Sequence, residues 1–211
     1  MFTPLEASGL WLYARHATLL EYGVDLENRK LFLVGDIVSP NVENMVSSLH
    51  MMGTSAEPIT MVVNSAGGCD DMMLYLYDAM TLCPAPIYTI GMGMVCSAAA
   101  LILVAGDRRS ATPNCWFMTH KGKMVIQGDE DEVRAASELN AQVADRYWKL
   151  IARHTKRSAQ WWFNRSKNEG ELWLNTDEMR RHGVIDRVEV SPRTLKNVPK
   201  RPIETRAREG R

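Results

Sequence analysis

Short apolar runs that break at glycine and give way to helix-forming segments recur along this chain, and that alternation restricts it to few folds. The clearest instance is Pro86-Ile-Tyr-Thr-Ile90, which meets Gly91 and Gly93 and passes into a helix-forming run that starts at Ser97. Comparable strand candidates are 30–34, 59–63, 115–119 and 184–188, beside 87–90 itself. Their near-continuous apolar character suits strands buried on both faces. Between them the spacing predicts helices over about 40–52, 70–82, 97–105, 131–154, 158–168 and 176–182. Ser39 is the expected cap of the first, with Pro40 in its opening turn; Asn175 and Glu178 have capping-box spacing, and Gly183 is a stop signal. Strand–helix alternation argues for an α/β fold with a largely parallel sheet. Within 131–154, Val133, Ala136, Leu139, Val143, Tyr147, Leu150 and Ile151 recur at helical spacing. The stripe serves either core packing or an arm that reaches another subunit.

Composition narrows the class. At 211 residues and 45% hydrophobic content the chain reads as one domain with ample core. No apolar run approaches the roughly 18 residues of a membrane span. The start, Met1-Phe-Thr-Pro-Leu-Glu-Ala7, lacks the basic and apolar regions of a signal peptide, so the expected location is the cytoplasm. Cys69, Cys83, Cys96 and Cys115 show no C-x-x-C spacing and read as reduced core residues. The formal net charge is zero, yet residues 191–211 hold seven Lys/Arg against Glu204 and Glu209. That basic segment, with Pro192, Pro199 and Pro202, has the composition of a disordered, solvated tail. A tail of this kind can also meet an acidic partner or nucleic acid, but neither a nucleic-acid partner nor a membrane partner is expected here. No metal-ligand spacing such as H-E-x-x-H occurs, and no cofactor is expected.

Three segments carry chemistry. Ser97 stands at a strand-to-helix turn, where free N–H groups and the helix dipole favour developing negative charge. A nucleophile suits that position, and so does a plain helix cap. Val63-Asn64-Ser65-Ala66-Gly67-Gly68 ends a strand in a Gly-Gly turn whose uncovered N–H groups can hold an oxyanion; an ordinary turn has the same pattern. Pro113-Asn-Cys-Trp-Phe-Met-Thr-His120 is a strand that ends in histidine. There a base with pKa near working pH could take the Ser97 proton. His16, His50, His154 and His182 read as surface residues.

In that order these segments resemble the proteolytic subunit of the Clp protease, a self-compartmentalised serine peptidase related in fold to the crotonases. The family's N-S-P-G-G turn appears as Asn64-Ser65-Ala66-Gly67-Gly68, and its Y-D-T-M as Tyr77-Asp78-Ala79-Met80. From there the match runs without a gap to Gly93-Met-Val-Cys-Ser97-Ala-Ala-Ala100, which corresponds to G-Q-A-A-S-M-G-A. Leu103-Val-Ala-Gly106, the strand ending at His120, and His154-Thr155 at the close of the family's handle helix follow in turn. The resemblance spans residues 30–190, leaving a divergent 1–29 segment and the 191–211 tail. It implies a crotonase-like spiral of β-β-α units with a projecting handle helix. It also implies the nucleophile Ser97, the base His120, and an oxyanion hole from the backbone N–H groups of Gly68 and Ala98. The implied assembly is a homo-oligomer of heptameric rings stacked as a tetradecamer, which takes unfolded polypeptides from an AAA+ unfoldase.

The departures from the pattern matter equally. The family's catalytic Asp falls on Glu171, whose carboxylate can still orient a histidine but is one methylene longer; Glu169 and Asp177 are nearby substitutes. Cys96 is a rival nucleophile, and a Ser–Lys arrangement would use Lys121 or Lys123. Where the family carries aromatic residues that help bind its ATPase, this chain has Thr60 and Val62, and the segment 121–128 departs from the family's glycine-rich pattern. Three readings follow. The first is an active serine endopeptidase with a Ser-His-Glu/Asp triad. The second is a catalytically weak or inactive structural or regulatory subunit of a mixed ring. The third is an acyl-CoA-handling crotonase, whose chemistry needs no Ser–His pair.

Overall fold

The structure, a computed structural model, describes residues 17–190. In chain order the elements are β1 (Val24–Asp25), β2 (Lys30–Val34), α1 (Asn41–Met52), β3 (Ile59–Ser65), α2 (Asp70–Leu82), β4 (Ile87–Cys96) and α3 (Ala98–Val104). They continue with β5 (Arg108–Ala111), β6 (Trp116–His120), α4 (Glu130–His154), α5 (Ala159–Glu169), β7 (Glu171–Leu174), α6 (Thr176–His182) and β8 (Arg187–Val188). The α/β alternation expected from the apolar runs is present. One sheet runs β1-β2-β3-β4-β5-β8, and β6 and β7 extend from the far end of β4. All pairings are parallel except β1 with β2 and β6 with β7.

β4 organises the molecule. Its first half pairs with β3 and β5; Met94, Val95 and Cys96 pair with Trp116, Phe117 and Met118 of β6, and Val95 also with Ser65 of β3. The strand therefore does not stop at its glycines, as the sequence suggested. It passes through them with a register shift against β3, and Gly93 adopts φ +67°. Such an irregularity re-aims a strand, and here it delivers the chain to Ser97 at the start of α3. Every residue of α3, Ala98 to Val104, is buried, so this helix is the centre of the core.

Behind β6 the packing is dense. Trp162 of α5 is fully buried, tilts against Phe117 at 6.1 Å between ring centroids, and donates its indole N–H to Thr155 at 2.9 Å. The buried Thr119 and Ser166 hydroxyls meet at 2.9 Å. These contacts fix the strand that carries His120.

Several local expectations need correction. Ser39 does not cap α1, whose first turn shows no side-chain cap; its hydroxyl donates to Glu43 instead. Cys69 is exposed and Cys83 half-buried, so only Cys96 and Cys115 are core residues. β1, β5 and β7 were not foreseen, and only residues 187–188 of the 184–188 run are strand. The long helix begins in a full capping box between Asp129 and Glu132. The Asn175–Glu178 box and the left-handed Gly183 stop, at φ +77°, are both present. Residues 1–16 of the N-terminal segment and the tail 191–211 lie outside the described residues.

His154 and His182 are not simple surface residues. Both are half-buried; His154 Nε2 meets the Tyr77 hydroxyl at 2.9 Å, and His182 Nδ1 accepts from Arg157 at 3.0 Å. Burial first, then nearby arginines, lowers both imidazole pKa values from the ordinary 6.5. A base that binds protons less well when folded gives stability that is complete above its unfolded pKa and is lost as pH falls towards the folded one. Thermal unfolding followed by circular dichroism should therefore show the parent losing Tm on acidification below about pH 6.5. His154→Gln should lose less over the same interval. Equal losses would contradict this assignment.

Candidate active site

Ser97 has φ +56° and ψ −121°, a conformation rare outside glycine, and its side chain makes no helix-capping bond. Strain of this kind costs on the order of 1–3 kcal/mol and persists only where surrounding structure imposes it. Three hydrogen bonds impose it here. Ser97 N–H donates to the Met118 carbonyl at 2.8 Å, and the Ser97 carbonyl accepts from Ala100 N–H at 2.9 Å and from the Tyr147 hydroxyl at 3.0 Å. Ser97 stands at the N-cap position of α3, but its side chain does not cap the helix.

The half-buried His120 is the last residue of β6, and its Nε2 lies 2.8 Å from Ser97 Oγ. With the ring proton on Nδ1, the hydroxyl donates to Nε2, the polarity that serine activation requires. Cys96 is a poor rival. It is buried, and burial first, then the Glu171 carboxylate, pushes its thiol up to about 11, so little thiolate exists at neutral pH. Lys121 lines the same cleft without displacing His120 from the serine.

The Gly67-Gly68 turn packs directly against Ser97. A Cβ on Gly67, whose φ is +106°, would stand 2.8 Å from Ser97 Cβ and 3.1 Å from Ala98 N. The turn is pinned to Ile37, whose N–H donates to the Gly67 carbonyl at 2.8 Å and whose carbonyl accepts from Cys69 N–H at 2.9 Å. A Cβ on Gly68 would overlap the Ile37 backbone. Ala98 opens α3, so its N–H has no acceptor within the helix.

Glu171 stands directly across from His120 in the antiparallel β6–β7 pair. Its carboxylate is exposed and accepts from the Trp173 indole N–H at 3.1 Å. Neither substitute acid is nearer to this role. Glu169 pairs with Arg165 at 2.7 Å, and Asp177 lies 4.0 Å from Arg180.

Two residues of this site were not singled out from the sequence. Tyr147 read as one apolar position in the long helix, yet its hydroxyl holds the Ser97 carbonyl. Asp70 read as the start of a helix, yet it lines the cleft with Ser97, Ala98, His120, Asn140 and Tyr147. A lone tyrosine in a helical stripe and an acid in a first turn carry no signal that separates them from ordinary helix chemistry.

Comparison with known proteins identifies the family. Residues 16–192 match the model of the Clp protease family. The ATP-dependent Clp protease proteolytic subunit 2 of Pseudomonas aeruginosa is 30% identical over 182 residues, which cover 85% of this chain and 89% of the relative. The protein of the same name from Treponema denticola is 29% identical over 184 residues, covering 83% and 88%. The chain therefore belongs to the Clp protease family.

Proposed function

We propose that this chain is a serine endopeptidase that cleaves unfolded polypeptides inside an oligomeric chamber. The observation that carries the reading is the 2.8 Å approach of His120 Nε2 to the hydroxyl of the backbone-strained Ser97. Ser97 Oγ attacks the peptide carbonyl while His120 takes its proton. The carbonyl oxygen becomes an oxyanion held by the Gly68 and Ala98 N–H groups. His120 then protonates the departing amine, and water hydrolyses the acyl-enzyme by the same route in reverse. Glu171, opposite His120 in the β6–β7 pair, is the acid assigned to orient His120 and stabilise its imidazolium, a role its carboxylate takes on leaving Trp173. The relatives are named ATP-dependent proteolytic subunits. By likeness, this chain assembles into stacked heptameric rings, works in the cytoplasm and receives substrates from an AAA+ unfoldase. Among the described residues, no helix is long and apolar enough to cross a membrane.

One observation favours the second reading, a weakly active or inactive subunit of a mixed ring: the Glu171 carboxylate engages Trp173 rather than His120. Hydrolysis of a fluorogenic peptide by Glu171→Ala and Glu171→Asp discriminates. Removing the orienting acid should lower kcat by about 10²- to 10⁴-fold, and aspartate should restore much of it. A Glu171→Ala protein as fast as the parent would move the acid elsewhere. A parent that hydrolyses no peptide would favour the scaffold subunit.

A further inference from the structure

The carbonyl of Ser97 and the N–H of Ala98 belong to one peptide group, and that group is trans. A trans peptide is planar, so its C=O and N–H point in opposite directions and turn together. Whatever grips the Ser97 carbonyl therefore aims the Ala98 N–H. Two donors grip it, Ala100 N–H at 2.9 Å and the Tyr147 hydroxyl at 3.0 Å. The first lies within the opening turn of α3. The second comes from α4, 50 residues along the chain. Tyr147 is itself firmly held. It is buried where α4 packs against α3, and its ring meets that of Trp148 edge-on at 4.8 Å between centroids. Burial first, then the charges of Asp70 and Cys96, raise its phenol above the ordinary value of 10, so it keeps its proton at any pH that suits a histidine base. A hydroxyl has one proton to give, and a carbonyl can only accept it.

We infer that Tyr147 is a positioning residue for the oxyanion hole: its hydroxyl holds the plane of the Ser97–Ala98 peptide so that the Ala98 N–H faces the oxygen of the attacked carbonyl. This rests on the peptidase reading given above. The plane needs holding, because Ser97 has ψ −121° at a positive φ, a conformation that persists only under external constraint. The hydroxyl also acts through polarity. A hydrogen bond into a carbonyl polarises the whole peptide and makes its N–H a stronger donor. Both effects matter most when charge develops on the substrate oxygen, so they belong to kcat and not to substrate binding. Tyr147 also lines the cleft with its ring, and Tyr147→Phe keeps that ring while removing the hydroxyl alone.

The test uses the assembled full-length protein, a fluorogenic peptide and a peptide aldehyde of the same sequence. The aldehyde forms a hemiacetal with the nucleophile and places an oxygen where the oxyanion develops. Tyr147→Phe should lower kcat by about tenfold at unchanged KM, a part of the roughly 10²- to 10³-fold lost when an oxyanion donor is removed outright. Inhibition by the aldehyde should weaken by a similar factor. Tyr147→4-aminophenylalanine, which presents an N–H donor at the same point of the ring, should recover most of both losses. Particle size should match the parent in each variant. A Tyr147→Phe protein with the parent's kcat overturns the inference and leaves the peptidase reading standing. A lower kcat with unchanged aldehyde affinity also overturns it, because the hydroxyl then serves another step. Failure of Tyr147→Phe to assemble overturns it too, since the hydroxyl then has a folding role. A parent that cleaves no peptide overturns the peptidase reading itself, and the inference with it.

Discussion

Ser97→Ala should lower peptide hydrolysis by about 10⁴- to 10⁶-fold in kcat, the scale seen when the nucleophile of a serine enzyme is removed. The size follows from the loss of covalent catalysis, which leaves only oxyanion and binding terms. Assembly should be unchanged, because alanine keeps the backbone bonds to Met118, Ala100 and Tyr147 that hold the turn. Cys96→Ala supplies the control. Its thiol is buried and protonated at neutral pH, so its removal should alter the rate by no more than a cavity-sized perturbation of the turn. The reverse pattern, with Ser97→Ala active and Cys96→Ala inactive, would reassign the nucleophile.

The second large effect concerns the long helix. Its C-terminal half is anchored, with Tyr147, Trp148, Leu150 and Ile151 buried. The N-terminal half carries the same stripe into solvent: Val133 is 37% and Leu139 62% exposed. An apolar stripe exposed along an arm calls for a partner, and a second copy of the same helix supplies a matching stripe. Residues 121–128 between β6 and this helix hold no regular structure, and Met124 and Val125 are exposed there. Light scattering should find the parent as a large ring assembly in physiological salt. Leu139→Glu combined with Val133→Glu should reduce the particle to single rings or smaller, because burying two new charges across a like-charged interface costs several kcal/mol. Peptidase activity should fall with it. A parent that stays monomeric or dimeric at micromolar concentration would rule out the chamber. A parent single ring would rule out only the stacking.

Much of the site was legible because its chemistry is tied to strand ends. Ser97 and His120 each follow an apolar run, and glycines mark the turn that approaches the serine. Helix bounds were legible where caps are local: Asn175, Glu178 and Gly183 act within one turn of α6. What escaped depends on contacts distant in sequence. β4 continues past Gly91 because β6 supplies new partners for Met94–Cys96 and Ser65 of β3 rejoins it at Val95, pairings that no local pattern announces. β7 is four residues long, and its place opposite His120 arises from packing by α5 and β6. His154 and His182 looked solvated in a helical reading, and become half-buried because Tyr77, Arg157 and Trp161 close over them.

The most direct measurement is reaction of the assembled protein with a fluorophosphonate probe, followed by peptide mapping. Such a probe phosphonylates a serine only when a base has activated it and an oxyanion hole can receive the phosphoryl oxygen. The expected result is a single modification on Ser97, absent in Ser97→Ala and strongly slowed in His120→Ala. Modification elsewhere, or none on an assembled and folded protein, would contradict an active Ser97–His120 pair.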